Sequence, residues 1–362
     1  MVSEIPGEPV IHIAAGLFTI LLLVLILPFK FRKIEENLEP FFLVMGIIAV
    51  TVSGLWSAKL IEEAVTAPVS IGGLPIGIFQ VVLLAGIVIY RFNAYIYSEV
   101  SRIMRRLGVS KFVFLMITVL SLLSSLISVI VTAVILVEII AALPLDRRKK
   151  IDLTVITCFA VGLGAALTPV GEPLSTIAVS KLKSPPYNAD FLFLFHLLGI
   201  YVIPGIIGLA IFGSLYIRKH TGEVEVPEYT ESLRTVIQRA IKVYMFVSAL
   251  ILFGGGLTPL VIWYFIKIPP QILYWVNMVS AVLDNATLTA AEIAPQLSIS
   301  QIKSALIALL ISGGMLIPGN IPNIVAAGRL RIGSREWARI GIPLGLILMS
   351  IYFLILMFEG VH

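Results

Sequence analysis

The 362-residue chain is 59% hydrophobic and 13% charged, with a mean hydropathy of +1.04 and a formal net charge of +5. Soluble domains carry about 25% charged residues, so this composition excludes a water-soluble fold and predicts an all-α protein that crosses the lipid bilayer of the plasma membrane many times. The single cysteine, Cys158, excludes an internal disulfide framework. The excess of basic residues is interpreted as contact with anionic lipid and not with nucleic acid.

Ten apolar runs follow one another along the chain, and eight of them suit a single crossing of about 20 residues. The run 112–143 is too long for a simple crossing, and the run 272–301 is interrupted by Asp284-Asn285-Ala286-Thr287. The eight predicted crossings are 10–29, 40–58, 71–90, 153–180, 190–217, 243–266, 303–328 and 340–358.

The positions of the basic residues predict how the two unusual runs fold. Five islands hold 21 of the 26 Lys and Arg residues, and they are 30–39, 91–111, 144–152, 218–242 and 329–339. If all five lie in the cytoplasm, both ends of 112–143 are inside and both ends of 272–301 are outside. Each run is therefore predicted to be a re-entrant hairpin, and both chain termini are predicted outside. The alternative is that each run is one long helix that crosses the membrane.

The order of crossings and hairpins occurs twice with opposite orientation, which predicts an inverted repeat. Residues 1–70 are predicted to form N-terminal scaffold helices, and residues 218–242 a cytoplasmic connector. The first repeat is 71–217, with its hairpin at 112–143 and a broken helix at 153–180. The second repeat is 243–362, with its hairpin at 272–301 and a broken helix at 303–328.

The two broken helices share the pattern G-x-x-L-x-P-x-x-x-P at a constant offset of 149 residues. Proline removes an amide donor and clashes with the preceding turn, so prolines four residues apart interrupt a helix. Backbone freed at membrane depth is tolerated where it lines a polar cavity or is buried in protein. Structural kinks are the alternative. The residues that define the two breaks are Gly164, Pro169, Pro173, Gly313, Pro318 and Pro322.

A third stretch, Gly254-Gly255-Gly256-Leu257-Thr258-Pro259, is predicted to break the crossing 243–266, and it has no counterpart in the first repeat. We interpret it as a hinge or a packing feature.

Polar oxygens are concentrated at the predicted hairpin tips and at the helix breaks. Hydroxyl, amide, carboxylate and backbone oxygens are the ligands that a small hard cation takes. The alternative is that each hydroxyl bonds its own helix backbone or a neighbouring helix. The candidate ion-binding residues are Ser125, Ser128, Thr132, Thr168, Gly171, Glu172, Asp284, Asn285, Thr287, Asn320 and Asn323.

Carboxylates inside apolar runs are the most informative residues. An ionised side chain there costs at least ~3 kcal/mol, so it must be neutral, paired or bound to a cation. No Lys or Arg lies near the centre of any run, so a buried salt bridge is not expected. Asp284 and Glu172 are therefore predicted to bind a proton or a metal cation. Glu138 and Glu292 lie nearer the ends of their hairpins, where extension to water is the alternative.

Two stretches resemble known transporters. Asp284-Asn285-Ala286-Thr287-Leu288-Thr289-Ala290-Ala291 is similar to the D-N-x-x-L-T-A-A stretch of NhaD-type sodium/proton antiporters. Thr168 to Pro173 resembles the T-P-x-G-x-P signature of the wider ion transporter superfamily, and Gly313 to Asn323 looks like its second copy. That superfamily also holds arsenite-pump membrane subunits and sodium-coupled dicarboxylate carriers. The resemblance implies a homodimer, an elevator-like movement of the hairpin-bearing domain, and sodium near the hairpin tips, here at Asp284 and Asn285.

The chain departs from the dicarboxylate carriers at both tips. Those carriers have an S-N-T triplet, whereas this chain has Ser128-Val129-Ile130 and Asp284-Asn285-Ala286. The first tip also lacks the Asp-Asn pair of many NhaD-like proteins. The loss of the triplet weakens the dicarboxylate interpretation, and the missing Asp-Asn pair argues against a symmetric two-sodium site.

The expected function is that of a secondary transporter, with sodium/proton antiport favoured and sodium-coupled transport of a dicarboxylate or oxyanion as the alternative. A passive channel or an intramembrane enzyme is the remaining alternative. The chain has no Walker, HExxH, GxSxG or Cys/His metal motif, so no enzyme activity and no cofactor are expected beyond sodium and protons.

Overall fold

The computed structural model of the chain describes residues 8–35, 37–69, 78–183, 185–218, 232–264, 269–283, 285–295 and 297–359. Within these ranges all regular structure is helical, as the composition predicts, and no strand occurs. The helices of the first part are α1 (Ile11–Lys30), α2 (Arg32–Glu35), α3 (Leu38–Ser53), α4 (Ala58–Thr66), α5 (Ile78–Leu107), α6 (Val109–Ile127), α7 (Val129–Ala142), α8 (Arg147–Ala165), α9 (Pro173–Lys181) and α10 (Phe193–Arg218).

The second part of the chain continues in the same manner, with two short 3₁₀ helices between the α-helices. Its elements are α11 (Leu233–Trp263), α12 (Pro270–Val276), a 3₁₀ helix (Asn277–Ala281), α13 (Asn285–Glu292), α14 (Ile299–Gly313), a 3₁₀ helix (Ile317–Gly319), α15 (Ile321–Leu330) and α16 (Ser334–Glu359).

Five of the described helices are long and apolar enough to cross a membrane, by length and composition: α1, α6, α10, α11 and α16. This is the pattern of a helical membrane protein. Four of the eight predicted crossings are missing from this set. The helix α3 has only 16 residues, residues 71–77 of the crossing 71–90 lie outside the described residues, and each of the two interrupted helices is divided in two. The set includes α6, which the sequence places in a hairpin, because that arm alone has 19 residues.

The helix pair α6 and α7 returns to the end of the bundle where it begins. Near the start of α6, the Ser110 hydroxyl donates to the Ser214 carbonyl oxygen at 2.9 Å, close to the end of α10. Tyr216, also near that end of α10, hydrogen-bonds to Asp152 in the second turn of α8. The starts of α6 and α8 therefore lie at one end of the bundle.

The helix α7 finishes at the same end of the bundle as the starts of α6 and α8. Lys150, in the first turn of α8, donates from Nζ to the Ala141 carbonyl oxygen at 2.5 Å. The reversal between α6 and α7 occurs at Ser128, which has a φ of 81° and separates the two helices. This left-handed conformation is uncommon for a residue with a side chain, and here it turns the chain back on itself. The run 112–143 is thus a helical hairpin.

The run 272–301 also reverses. Asn277, at the start of its 3₁₀ helix, donates from Nδ2 to Glu292 Oε2 at 2.9 Å, at the last residue of α13. Because this bond joins the two arms, they lie side by side, and the reversal lies between Ala281 and Asn285. The tip residue Asp284 lies outside the described residues.

The first predicted helix break lies between α8 and α9, and the second between α14 and α15. The chain leaves α8 at Ala165 and enters α9 at Pro173, and it leaves α14 at Gly313 and enters α15 at Ile321. Pro173 occupies the first position of α9, where a proline costs nothing because that amide has no helical partner. Pro169 lies in the nonhelical connection of the first break, and Pro318 lies in the short 3₁₀ helix of the second break.

The expected break at Gly254-Gly255-Gly256-Leu257-Thr258-Pro259 is wrong, because α11 runs without interruption from Leu233 to Trp263. Gly256 instead allows a close approach to α3, since a Cβ at this position would lie 2.6 Å from the Ala49 carbonyl carbon. The stretch is a packing feature. On the same interface Phe42 of α3 packs against Phe246 and Phe253 of α11.

Candidate functional site

The tip of the first hairpin is hydrogen-bonded to the first helix break. The Val129 amide donates to the Gly171 carbonyl oxygen at 2.8 Å. The Thr168 hydroxyl donates to the Ser125 carbonyl oxygen at 2.5 Å. Gly171 and Thr168, both predicted as site residues, therefore bind hairpin backbone on either side of Ser128.

Gly164 permits this contact, because α6 passes directly against it. A Cβ at Gly164 would lie 1.7 Å from the Ser121 carbonyl oxygen, well inside van der Waals contact. Ser124 reinforces the approach by donating to the Val161 carbonyl oxygen at 3.0 Å. The first glycine of the shared pattern is thus required by packing between the hairpin and the interrupted helix.

The predicted hydroxyls of the first tip donate to backbone. Ser125 bonds the Leu122 carbonyl oxygen at 2.7 Å and Thr132 bonds the Ser128 carbonyl oxygen at 3.0 Å. Ser128 accepts a bond from the Ile130 amide at 3.3 Å. These are the local bonds that the alternative interpretation anticipated, and they leave lone pairs on the hydroxyl oxygens.

The second hairpin meets the second break in the same way. Ser312 of α14 donates to the Asn277 carbonyl oxygen at 2.7 Å. A Cβ at Gly319 would lie 2.7 Å from the Ser280 carbonyl oxygen, so hairpin backbone also passes against this break. Asn285 is buried at the start of α13, and its Nδ2 would lie 3.6 Å from a Cβ at Gly313.

Two asparagines organise the second break. Asn323 is fully buried and donates from Nδ2 to the carbonyl oxygens of Gly313 and Leu316, at 2.8 and 2.9 Å, which bridges the interruption from α15 back to α14. Asn320 caps α15 by accepting the Ile321 amide at 2.8 Å. Both predicted asparagines therefore lie within the broken segment.

The two breaks lie close to one another. The side-chain nitrogen Nδ2 of Asn320 is 2.8 Å from the position that a Cβ on Gly162 of α8 would take. The second break therefore contacts the helix that leads into the first break. In addition, α9 packs against α13 and α15 packs against α7. The second half of each interrupted helix is thus in contact with the second arm of the opposite hairpin.

The carboxylates fall into different environments. Glu172 is buried, with 4% exposure, at the residue that precedes α9. Asp284 and the Thr287 side chain, which the sequence places at the second tip, lie outside the described residues. The predicted sodium site at Asp284 and Asn285 therefore has only its asparagine described.

The expectation that no buried salt bridge forms is wrong. Glu138 accepts two hydrogen bonds from the Arg329 guanidinium, one of them 2.9 Å long between Nη2 and Oε2. Their side chains are only 5% and 10% exposed, so Glu138 does not extend to water. Arg329 lies at the end of α15, just beyond its apolar run, and packing of α15 on α7 brings it to Glu138.

Two buried polar residues, Asp152 and Asn277, are not among the candidate site residues predicted from the sequence. Asp152 is buried and ion-pairs with Arg339 at 2.6 Å. Asn277 is buried in contact with Glu292, which is 6% exposed. In the sequence, Asn277 is distinguished only as a single polar residue in an apolar run. Its partner Glu292 is 15 residues away, so no local spacing links the two residues.

A cavity of about 670 Å³ leads from the basic end of the bundle to the second break. Its wall includes Ile317 beside Pro318 and, further out, four basic and two acidic residues. The charged lining residues are Arg147, Lys242, Arg329, Arg331, Glu39 and Glu336. Glu336 pairs with Arg147 at 3.0 Å and Glu39 with Lys242 at 3.6 Å, and Arg329 pairs with Glu138, so the excess positive charge of the lining comes from Arg331.

A family model described as a protein of unknown function, DUF1646, matches residues 14–358. The chain belongs to the DUF1646 family. No curated protein matches the chain. Both hairpins, both breaks and the basic cavity of this DUF1646 protein lie inside the matched range. Among the described residues, no three His, Cys, Asp or Glu side chains lie together as a metal cluster.

The geometry of the DUF1646 site places nonhelical backbone, the side-chain amides of Asn320 and Asn323 and the buried Glu172 carboxylate at the two helix breaks. Such an arrangement can hold a small ion without water, since free backbone carbonyls and side-chain oxygens replace its hydration shell.

Proposed function

We propose that this chain is a secondary active transporter of the plasma membrane that exchanges a monovalent cation, sodium first, for protons. Membership of the wider ion transporter superfamily, nearest to NhaD-type antiporters, is part of this proposal. The observation that carries it is the contact of the two hairpins with the two interrupted helices. Irregular backbone that is buried between repeats is the usual location of substrate and coupling-ion sites in secondary transporters.

The order of contacts supports an inverted repeat. α7 packs on α15 and α13 packs on α9, while α5 packs on α7 and α11 packs on α13. Each repeat would then comprise one leading helix, one hairpin, one interrupted helix and one closing helix, α10 or α16. The hairpins would enter from opposite faces of the membrane and meet near its midplane, within a total of about eight crossings.

Side-chain contacts at the two ends of the bundle support the assignment of faces. Arg147, Arg329 and Lys242 line one cavity at the basic end, which would face the cytoplasm. Lys303 and Glu359 pair at 2.8 Å at the other end, which would be outside, together with both termini. A homodimer with an elevator-like movement remains an expectation from the resemblance.

The proposed exchange needs one negative site with two competing occupants. Asp284 and Glu172 would be neutral when protonated and would be balanced by the ion when sodium is bound. A charged empty site is costly to move through the membrane, so only an occupied carrier would reorient. Proton and sodium movement would then be linked without any ATPase.

The cavity supports a second candidate, a sodium-coupled carrier of a dicarboxylate or oxyanion. Its basic excess would attract anions from the cytoplasmic side, and its inner end reaches the second break. In this case the hairpin tips would bind coupling ions and the anion would bind between them.

Purified full-length protein in vesicles that contain a pH-sensitive dye tests the proposal. An antiporter acidifies or alkalinises the lumen when sodium is added with no organic anion present. An anion carrier gives no signal until its substrate is added. A response to neither sodium nor a panel of anions, from protein that is folded and correctly inserted, would reject both candidates.

A further inference from the structure

Glu292 is a buried carboxylate whose hydrogen-bonding partner is an amide. It is 6% exposed at the end of α13, and in the described part of the chain its only hydrogen bond comes from Asn277 Nδ2 to Oε2 at 2.9 Å. The second carboxylate oxygen, Oε1, is buried with no partner there. An ionised carboxylate in this position would be expensive, because no basic side chain among the described residues pairs with it.

Two other buried acids of the fold, Glu138 and Asp152, are each paired with an arginine. Glu138, on the second arm of the first hairpin, is held by the Arg329 guanidinium, and Asp152 is held by Arg339. Glu292 lies on the second arm of the second hairpin and has no such cation among the described residues. The contrast between the two hairpins indicates that Glu292 carries no permanent negative charge.

Asn277 also has a buried oxygen without a hydrogen-bond partner in the part of the chain that the structure describes. Its side chain is fully buried, and its Oδ1 also has no partner in the described ranges. Two acceptors without donors, Oδ1 of Asn277 and Oε1 of Glu292, therefore belong to the same pair of residues. One proton on Oε1 satisfies both, because a carboxylic acid donates to an amide oxygen while the amide nitrogen donates back. The terminal torsion of glutamate is soft, so the carboxyl can rotate into this ring.

We propose that Glu292 and Asn277 form a proton-binding site in the second hairpin, in which the acid and the amide make a closed pair of hydrogen bonds. Proton binding by this pair does not depend on which ion the protein transports. The role of the pair in coupling rests on the proposed exchange. In that role it passes the proton to and from the carboxylates of Asp284 and Glu172, where sodium and the proton compete.

The other ionisable groups that the structure describes nearby do not supply Glu292 with a cation. The elements packed against α13 are α9, α11, α14 and the 3₁₀ helix at 277–281. Lys303 of α14 is engaged by Glu359 and Tyr201. The remaining charged or titratable residues on or next to these elements in the sequence are Glu172, Lys181, Lys183, Tyr244, Tyr264, the basic residues 234–242 of α11, and Asp284, which precedes α13.

Infrared spectroscopy of the full-length protein in lipid nanodiscs tests proton occupancy directly. Wild-type protein at neutral pH should show the carbonyl band of a protonated carboxyl that is lost in Glu292→Gln. The matched control Glu62→Gln changes an exposed glutamate of α4 and should keep the band. Asn277→Ala should keep the band and move it to higher wavenumber, because the carbonyl loses its hydrogen bond. Identical spectra for wild type and Glu292→Gln would overturn the site.

Transport in vesicles tests the coupling role. Glutamine mimics the protonated acid, so Glu292→Gln should retain sodium–sodium exchange of a radioactive tracer and lose sodium-driven proton movement. Proton movement at the wild-type rate in Glu292→Gln would overturn the coupling role. If wild-type protein moves no protons but the infrared band still depends on Glu292, the proton site stands and the proposed antiport fails.

Discussion

Glu138 and Arg329 form a buried ion pair that joins the second arm of the first hairpin to the last turn of the second interrupted helix. The two residues are 191 positions apart, and both side chains are at most 10% exposed. The pair therefore fixes α7 against α15 at the basic end of the bundle. Arg329 also lines the cavity, so this contact forms part of its wall.

Removing one member of this pair should destabilise the protein strongly. Arg329→Met leaves Glu138 buried without a cation, which typically costs about 3–5 kcal/mol. The double variant Glu138→Met with Arg329→Met should regain most of that loss, since no charge remains buried. Thermal denaturation in detergent measures both effects. The matched control, Lys242→Met, breaks a longer and exposed pair with Glu39 and should cost less than about 1 kcal/mol. Equal losses for Arg329→Met and Lys242→Met would contradict the structural role.

Gly164→Ala should separate the first hairpin from the first break. The added methyl would lie 1.7 Å from the Ser121 carbonyl oxygen, so α6 or α8 must shift. We expect lower thermal stability and loss of sodium-driven proton movement in vesicles. Gly208→Ala in α10 is the control, because nothing lies within 4 Å of its Cβ position. A functional Gly164→Ala would show that this contact is not needed for transport.

Asp284→Asn should abolish sodium/proton exchange if that carboxylate is the shared site. The amide cannot be ionised, so it cannot alternate between a proton and sodium. The vesicle assay with a pH dye measures the loss. Asp190→Asn is a control at an exposed loop position, where asparagine keeps the side-chain oxygen that accepts the Leu192 amide. Exchange that is unchanged in Asp284→Asn would remove this residue from the mechanism.

The assignment of faces predicts a labelling pattern. Cys158 is the only cysteine and is buried, so a Cys158→Ala background gives a protein without reactive thiols. Single cysteines at Asp146 and Arg335 should react only with reagent on the cytoplasmic side. Single cysteines at Ser298 and Glu359 should react only from outside. If the cysteines introduced at Asp146 and Ser298 react with reagent from the same side, the proposed arrangement of the two hairpins is rejected.

Much of the helical layout follows from local chemistry. The prolines at Pro169, Pro173, Pro318 and Pro322 lie where the helices are interrupted, because an imino acid cannot continue the helical hydrogen bonding wherever the chain is placed. The reversal within 112–143 was likewise predicted from length and flanking charge. Its position at Ser128 matches the cluster of hydroxyls that marked the tip.

The partners of the polar residues did not follow from local chemistry. The sequence predicts no buried salt bridge, whereas Glu138 binds Arg329. The glycines at 254–256 were expected to interrupt α11, whereas Gly256 allows it to pack on α3. In both cases the residue that decides the outcome lies far away in the chain, and no spacing rule connects them.

The sequence by itself determined that the chain is apolar enough for a membrane, that the two helices with paired prolines are interrupted, and which polar residues lie in apolar runs. These properties depend on composition and on backbone restrictions that act within a few residues. Only the tertiary structure decided that Glu138 has a cation and that Glu292 has an amide. Whether a buried acid is charged depends on what the opposite helix brings within about 3 Å of it, and packing alone sets that neighbour.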